Sequence, residues 1–195
     1  VYKARDIAMP GVGLGNVVQA MTYLTASNRV SLGDRVAEFD SGALDARNKN
    51  VVVVGGGDTA MDCVRTAVRQ GAKSVKCLYR RDRRNMPGSM REVSYSEEEG
   101  VEFVWLTAPE AYLGETDVRA VRAVRIRLGA PDATGRQTPE VIEDSSHEIA
   151  ADLVIKALGF DPEDIPSMFD EPELSVSRWG TMRLDHRTMM TSVEG

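Results

Sequence analysis

The sequence predicts an α/β protein in which a doubly wound parallel sheet carries a β-meander. Three observations lead to this prediction: a valine strand that runs through a glycine turn into an amphipathic helix, two more apolar strands at crossover spacing, and a later run of alternating residues with turn signals. Strands separated by helices favour a parallel sheet. Alternating strands joined by short turns favour an antiparallel meander.

The first element is the strand over residues 51–54, four consecutive valines of the kind found in strands buried on both faces. A helix is predicted after the glycines, because apolar residues recur with the spacing of one helix face. They are Ala60, Cys63, Val64, Ala67 and Val68. Gly71 stands where a helix commonly ends in glycine.

The turn between this strand and helix fits the dinucleotide pattern G-x-G-x-x-G/A of Rossmann-like folds. Its residues are Gly55, Gly56, Gly57, Asp58, Thr59 and Ala60. Gly55 would form the turn, Gly57 would let a pyrophosphate approach the backbone, and Ala60 would let helix and strand pack closely. The helix N-terminus would hold the phosphate charge. A glycine-rich turn without a ligand fits the same pattern, so the surrounding residues have to decide.

Two arginines follow the next predicted strand, residues 74–79, at its carboxyl end. In dinucleotide folds this position meets the adenosine ribose, where an acid binds the 2′-hydroxyl of NAD and arginine accommodates the 2′-phosphate of NADP. Arg80 and Arg81 stand there, and no acid does. The sequence therefore predicts NADP selectivity through Arg80 and Arg81. A solvated charge run that also includes Arg83 and Arg84 is the alternative.

A helix over residues 89–99 and a strand over residues 101–106 complete the parallel half-domain. From Thr107 the pattern predicts an antiparallel meander. Its strands are placed around residues 124–128, at 141–142 and at 147–149.

A last buried strand is predicted over residues 152–158, ending at Gly159. Ala157, Leu158 and Gly159 would lie at the ligand edge of the sheet, where they would make a second contact with the cofactor. A purely structural turn explains these residues almost as well.

The chain ends carry weaker signals. Asn16 is predicted to cap a helix that contains Val17 and Val18, and residues 31–50 are predicted to cross the surface as an irregular connection. Residues 174–183 are predicted to form a hairpin.

Composition narrows the class of protein. A formal net charge of −6 argues against nucleic-acid binding, and no apolar run approaches the ~20 residues of a membrane helix. Cys63 and Cys77 lie among apolar positions, which favours reduced core thiols in a cytoplasmic protein. No residue pattern marks a metal ligand or a catalytic acid, base or nucleophile.

The order of half-domain, meander and returning strand resembles the NAD(P)-binding domain of two-dinucleotide flavoproteins of the glutathione-reductase type. The resemblance is sharpest at residues 55–63, 79–82, 85–88 and 157–160. Together these motifs resemble the small (beta) subunit family of NADPH-dependent glutamate synthase, whose relatives include the N-terminal part of dihydropyrimidine dehydrogenase.

That resemblance implies a function and a division of the chain. NADPH would pass hydride to FAD, and electrons would move through iron–sulfur clusters to a large partner subunit that makes glutamate. Residues 1–48 would be a stub of a split flavin domain with a linker, residues 49–160 the NAD(P)-binding domain, and residues 161–195 a return segment. The FAD and iron–sulfur sites would belong to the full-length parent, and this piece would not turn over alone.

The resemblance also assigns roles to the motif residues. The glycine turn would cradle the pyrophosphate, Arg80 and Arg81 would bind the 2′-phosphate, and residues 157–159 would face the nicotinamide. A non-catalytic nucleotide sensor or docking module would use the same turn, and it remains the alternative function.

Overall fold

A computed structural model describes residues 3–133 and 135–193. Within them the chain divides into two compact units, residues 6–159 and a smaller unit that contains the remaining described residues at the two ends of the chain. Tyr2, Glu194 and Gly195, which carry part of the predicted junctions with a flavin domain, lie outside the described residues.

The strands and helices are numbered in chain order. The strands are β1 (Lys3–Ala4), β2 (Val17–Gln19), β3 (Asn50–Val54), β4 (Ser74–Tyr79), β5 (Glu102–Trp105), β6 (Thr107–Gly114), β7 (Val118–Pro131), β8 (Gln137–Val141), β9 (His147–Ala150), β10 (Leu153–Lys156) and β11 (Phe160–Asp161). The helices are α1 (Ala20–Ser31), α2 (Ala37–Asp40), α3 (Asp58–Arg69), α4 (Met90–Glu98) and α5 (Ile165–Met168), with a 3₁₀ turn over Arg83–Asn85.

The centre of the larger unit is a five-stranded sheet in the order β2-β10-β3-β4-β5, with every neighbouring pair parallel. The valines of β3 are buried on both faces, as their uninterrupted run predicts. One face packs on α1, α3 and α4 through a core that includes Tyr23, Met61 and Val93. The predicted parallel sheet is therefore confirmed.

The other face of the parallel sheet is covered by the meander. Strand β7 pairs with β6 along one side and with β9 and then β8 along the other, always antiparallel. Tyr112, Val121 and Ala123 of the meander share a buried cluster with Val52 and Val154 of the parallel sheet. Helices, parallel sheet and meander thus form three layers, and the predicted fold class is correct.

The predicted helix start at Asn16 is wrong. Asn16 has a φ of 61°, and the next residues form β2, whose Val17 and Val18 pair with Val154 and Ile155 of β10. Helix α1 begins only at Ala20. Two adjacent β-branched residues favour a strand when a neighbouring strand can pair with them, and β10 provides that partner. Strand β2 and α1 therefore belong to the same unit as β3, although both lie within the predicted stub.

The predicted surface connection over residues 31–50 is only partly correct. It contains the short helix α2, and Val36 and Leu44 form a small buried cluster with Ala26 of α1. The assignment of residues 1–48 and 161–195 to a flavin domain stays a prediction.

The smaller unit has little regular structure. Strand β1 pairs antiparallel with β11. The hairpin predicted over residues 174–183 is confirmed, because Val176 bridges Met182 antiparallel and Ser177 N–H donates to the Thr181 carbonyl oxygen at 2.7 Å. Its exposed apolar side chains include those of Phe169, Trp179 and Met189. Among the described residues of the whole chain, no helix has the length and apolar character to cross a membrane.

Candidate functional site

The carboxyl edge of the parallel sheet brings the predicted site residues together. Val54 lies opposite both Leu78 of β4 and Lys156 of β10, so the three strands end at nearly the same level. The glycine turn, the arginines and residues 157–159 follow directly after these strand ends. In open α/β sheets this edge is where ligands bind.

Gly55 fits its position for steric reasons. Its φ is +146°, and a Cβ there would lie 2.1 Å from the carbonyl oxygen of Ala157. The backbone at this point is held by hydrogen bonds from Gly55 N–H to Leu78 and from Ala157 N–H to Val54. The first glycine therefore lets the turn pass between two neighbouring strand ends.

Gly56 is also constrained, although the dinucleotide pattern allows any residue at this place. A Cβ there would lie 2.5 Å from a ring carbon of Tyr79. Tyr79 is fixed in turn, since its hydroxyl donates to the Asn85 carbonyl oxygen at 2.9 Å and its ring meets Trp105 edge-on. The turn thus rests on an aromatic side chain from the next strand.

Gly57 differs from the other two glycines because a Cβ there would meet open space. It precedes α3, and within the described residues the N–H groups of Gly57, Asp58 and Thr59 donate to no protein acceptor. Unpaired amides at a helix start, together with the helix dipole, form a binding site for an anion. Ala60 is fully buried in the core below.

A loop from the next crossover holds this turn in place. Gly88 N–H donates to the Gly56 carbonyl oxygen, and Ser89 N–H donates to Asp58 Oδ1, both at 2.9 Å. The Asp58 carboxylate therefore accepts a hydrogen bond at the start of α4, and no side chain caps the first amides of α3. Sequence reasoning singled out residues 85–88 as a motif but did not predict this contact, because it joins groups some 30 residues apart.

The arginines follow β4 at the same edge. Arg80 is exposed, whereas Arg81 is half-buried and its Nε lies inside the protein without a hydrogen-bond partner among the described residues. Arg83 is different, since its guanidinium lies 2.6 Å from the carboxylate of Glu97. Arg83 is thus already paired with a carboxylate, which distinguishes it from Arg80 and Arg81, the two arginines predicted from the sequence.

Residues 157–159 lie beside the glycine turn. Ala157 is buried against Gly55, and Leu158 packs with the cluster beneath the meander. Gly159 has a φ of +84° and ends the larger unit. The backbone after β10 therefore lies at the carboxyl edge of the sheet, and its packing against Gly55 also has a structural role.

An ion pair between a buried lysine and an exposed aspartate lies at this edge, and the sequence analysis does not predict it. Lys156 is 6% exposed, and its Nζ lies 2.8 Å from both carboxylate oxygens of Asp6. The hydrogen bond from Lys156 is the main reason that the pKa of Asp6 lies below its ordinary value. The available signal was Lys156 itself, because a lysine inside a buried strand requires a partner of opposite charge.

The two cysteines are free, buried thiols. Burial raises the pKa of Cys77 to about 12 and raises that of Cys63 as well. A thiol must be deprotonated to act as a nucleophile, so neither cysteine is poised for redox chemistry.

These residues fit a dinucleotide that carries a 2′-phosphate. The open Gly57 and the unpaired amides of α3 suit a pyrophosphate, and the unpartnered Nε of Arg81 suits an additional phosphate oxygen. The fold and this edge together define the class of protein, a dinucleotide-binding α/β domain with a β-meander.

Comparison with known families gives the same class at a finer level. A family model described as pyridine nucleotide-disulphide oxidoreductase matches residues 3–195, and the chain belongs to this family. The family-level resemblance expected from the motifs is confirmed.

The chain is similar to two curated bacterial proteins along its whole length. It is 69% identical over 195 residues to the glutamate synthase [NADPH] small chain of Azospirillum brasilense, and it covers 40% of that protein. It is 62% identical to the putative glutamate synthase [NADPH] small chain of Cereibacter sphaeroides, of which it covers 46%. The chain thus spans less than half the length of these relatives.

Solved structures show the same fold at low sequence identity. Thioredoxin reductase from T. acidophilum superposes with a TM-score of 0.67 at 15% identity, over 98% of this chain and 51% of that one. Mycobacterium tuberculosis FprA in complex with NADPH gives a TM-score of 0.66 at 16% identity, over 84% of this chain and 49% of that one. At this identity the likeness establishes the fold alone.

Proposed function

We propose that this chain is the NADPH-binding domain of a flavin-dependent oxidoreductase of the glutamate synthase small-subunit type. The observation that carries the proposal is the carboxyl edge, where an open glycine turn and two arginines follow neighbouring strands. The identities of 69% and 62% to NADPH-named small chains support it.

Each part of the site would have a separate binding role. Backbone N–H groups of Gly57, Asp58 and Thr59 would hold the pyrophosphate. Arg80 and Arg81 would bind the 2′-phosphate through their planar guanidinium forks. Residues 157–159 would lie along the nicotinamide and fix its position. The chemistry supplied by the bound groups is transfer of a hydride from the nicotinamide to a flavin.

The remaining parts of the proposal concern the whole protein. FAD would be held by flavin-domain segments, and electrons would continue through iron–sulfur clusters to a large subunit that forms glutamate. The two buried, reduced thiols are consistent with a cytoplasmic setting.

Equilibrium titration of the full-length protein tests the nucleotide assignment. NADP⁺ and NAD⁺ are the suitable pair, because they differ only in the 2′-phosphate and leave the flavin oxidised. NADP⁺ should bind more tightly. Equal affinities, or no binding of either nucleotide, would overturn the assignment of the arginines.

Visible absorbance tests the redox assignment. The full-length protein should be yellow, and anaerobic NADPH should bleach its flavin band. A colourless protein that still binds NADP⁺ would instead favour a nucleotide sensor or docking module.

A further inference from the structure

A hairpin of the meander projects beyond the carboxyl edge of the parallel sheet. Strand β7 starts at the opposite, amino edge, since Val118 N–H donates to the Gly15 carbonyl oxygen just before β2. It reaches the carboxyl edge at Arg125, which pairs with Thr107 directly after β5. The strand then continues to Pro131 and returns as β8. Residues 126–133 and 135–141, here called the β7–β8 arm, therefore extend past the carboxyl edge, where the nucleotide would bind.

The base of this arm is tied through the backbone to Arg80 and Arg81, here called the arginine segment. Leu106 N–H donates to the Arg81 carbonyl oxygen at 3.1 Å, and Ile126 N–H donates to the Leu106 carbonyl oxygen at 2.7 Å. Ile126 is 5% exposed, which anchors the arm at its base. One residue thus separates the backbone of Arg81 from the first residue of the arm.

The turn of the arm presents Arg136. Its N–H donates to Asp132 Oδ1 at 3.0 Å, and Asp132 N–H donates to the Arg136 carbonyl oxygen at 2.9 Å. These bonds fix the backbone of the turn, while Arg136 itself is exposed.

The positive charge of Arg136 influences Tyr79, the residue directly before Arg80. Burial raises the pKa of the Tyr79 phenol, and the positive charges of Arg81, Arg80 and Arg136 all oppose that rise, while Asp82 adds to it. Charges act on one another mainly within a screening length of about 10 Å. Tyr79 lies under the glycine turn and directly precedes the arginine pair.

We propose that Arg136 is a third specificity-determining residue for the 2′-phosphate, supplied by the β7–β8 arm to the Arg80 and Arg81 subsite. The inference rests on the proposed NADPH function and deepens it. An arginine delivered from a different sheet would approach the phosphate from another direction than the two that follow β4. Preference for NADP over NAD would then depend on the meander as well as on the parallel sheet.

The test compares Arg136→Gln with Arg119→Gln in the full-length protein. Arg119 is an exposed arginine of β7, but it lies next to Val118 at the amino edge of the sheet, away from the site. Calorimetric titration with NADP⁺ and NAD⁺ should show NADP⁺ affinity reduced roughly three- to tenfold for Arg136→Gln, the effect of losing one solvent-screened charge. NAD⁺ affinity should change less than about twofold. Arg119→Gln should leave both affinities unchanged.

A conservative variant separates charge from structure. Arg136→Lys keeps the charge and should retain most of the discrimination, although it loses the planar fork. The proposal is overturned if Arg136→Gln binds NADP⁺ like the unmodified protein, or if it weakens NADP⁺ and NAD⁺ equally. If the unmodified protein itself fails to prefer NADP⁺, the proposed function fails first and this inference with it.

Discussion

The glycine turn and the arginine segment lie at the same edge of one sheet but are built by opposite means. At Gly55 and Gly56 the protein packs so closely that a single added carbon would meet Ala157 or Tyr79. Arg80 is exposed, and Arg81 keeps an unpartnered Nε. The turn is defined by backbone packing, whereas the arginine segment is defined by charge.

This difference gives the two regions different roles in nucleotide binding. A rigid backbone turn offers amides to any pyrophosphate, so it would bind NADP and NAD alike. The guanidinium groups of Arg80 and Arg81 would act only on a nucleotide that carries the additional phosphate. Substitutions in the turn should therefore lower the stability of the protein or weaken the binding of both nucleotides. Substitutions in the arginine segment should weaken the binding of NADP alone.

The largest effect is expected for Gly55→Ala. The new Cβ would lie 2.1 Å from a main-chain oxygen, and the φ of +146° is one that L-residues rarely adopt. Strain and overlap together should lower the free energy of unfolding by roughly 3 kcal/mol or more. Urea denaturation of the variant measures this loss, and an unchanged midpoint would show that the turn can relax.

Gly57→Ala should separate binding from stability. Its Cβ meets open space in the unbound protein, so the free energy of unfolding should change by less than about 1 kcal/mol. The same carbon would stand where a pyrophosphate approaches the amides of α3. Binding of NADP⁺ and NAD⁺ should weaken together, by roughly 2 to 4 kcal/mol if hydrogen bonds to the charged group are lost. A loss confined to one nucleotide in titration would contradict this role.

Arg80→Ala and Arg81→Ala should act on selectivity. Each should weaken NADP⁺ by about 1 to 3 kcal/mol, the scale of a hydrogen bond to a charged group, and leave NAD⁺ nearly unchanged. Arg83→Ala is the matched control, because Arg83 is already paired with Glu97. Titration of the three variants with both nucleotides makes the comparison, and a control that loses as much NADP⁺ affinity as the others would favour the solvated charge run.

The smallest effect is expected from salt. Exposed charges are screened within about 3 Å at 1 M ionic strength and about 10 Å at 0.1 M. Raising the salt concentration across this range should therefore weaken NADP⁺ by a few-fold more than NAD⁺. Parallel titrations at several salt concentrations measure the difference, and identical slopes for the two nucleotides would argue against a charge-based subsite.

Much of the fold was accessible from the sequence because local patterns and tertiary structure agree there. Strand β3 is an uninterrupted apolar run, which is typical of a strand buried on both faces. Helix α3 has apolar residues at the spacing of a helix buried on one face. Strand β2 was missed because three residues are too few to establish a period. Only its pairing with β10, more than 130 residues later, makes it a strand.

The candidate site likewise contains some features that the sequence predicts and others that it does not. The glycine pattern and the arginines after β4 could be found because each motif is short and has a steric or electrostatic purpose. The support of Gly56 by Tyr79, and of the turn by Gly88, could not be found, because these contacts join separate crossovers. Lys156 was visible in the sequence, but its partner Asp6 lies 150 residues away.

The strand order also affects how the protein folds during synthesis. Strand β10 fills the place between β2 and β3, yet it is made last of the parallel strands. At the usual ~5 to 20 residues per second, roughly 5 to 20 s pass between translation of Val54 and of Leu153. For that time β2 has no neighbour and one edge of the apolar β3 stays unpaired, a state open to wrong pairing and aggregation.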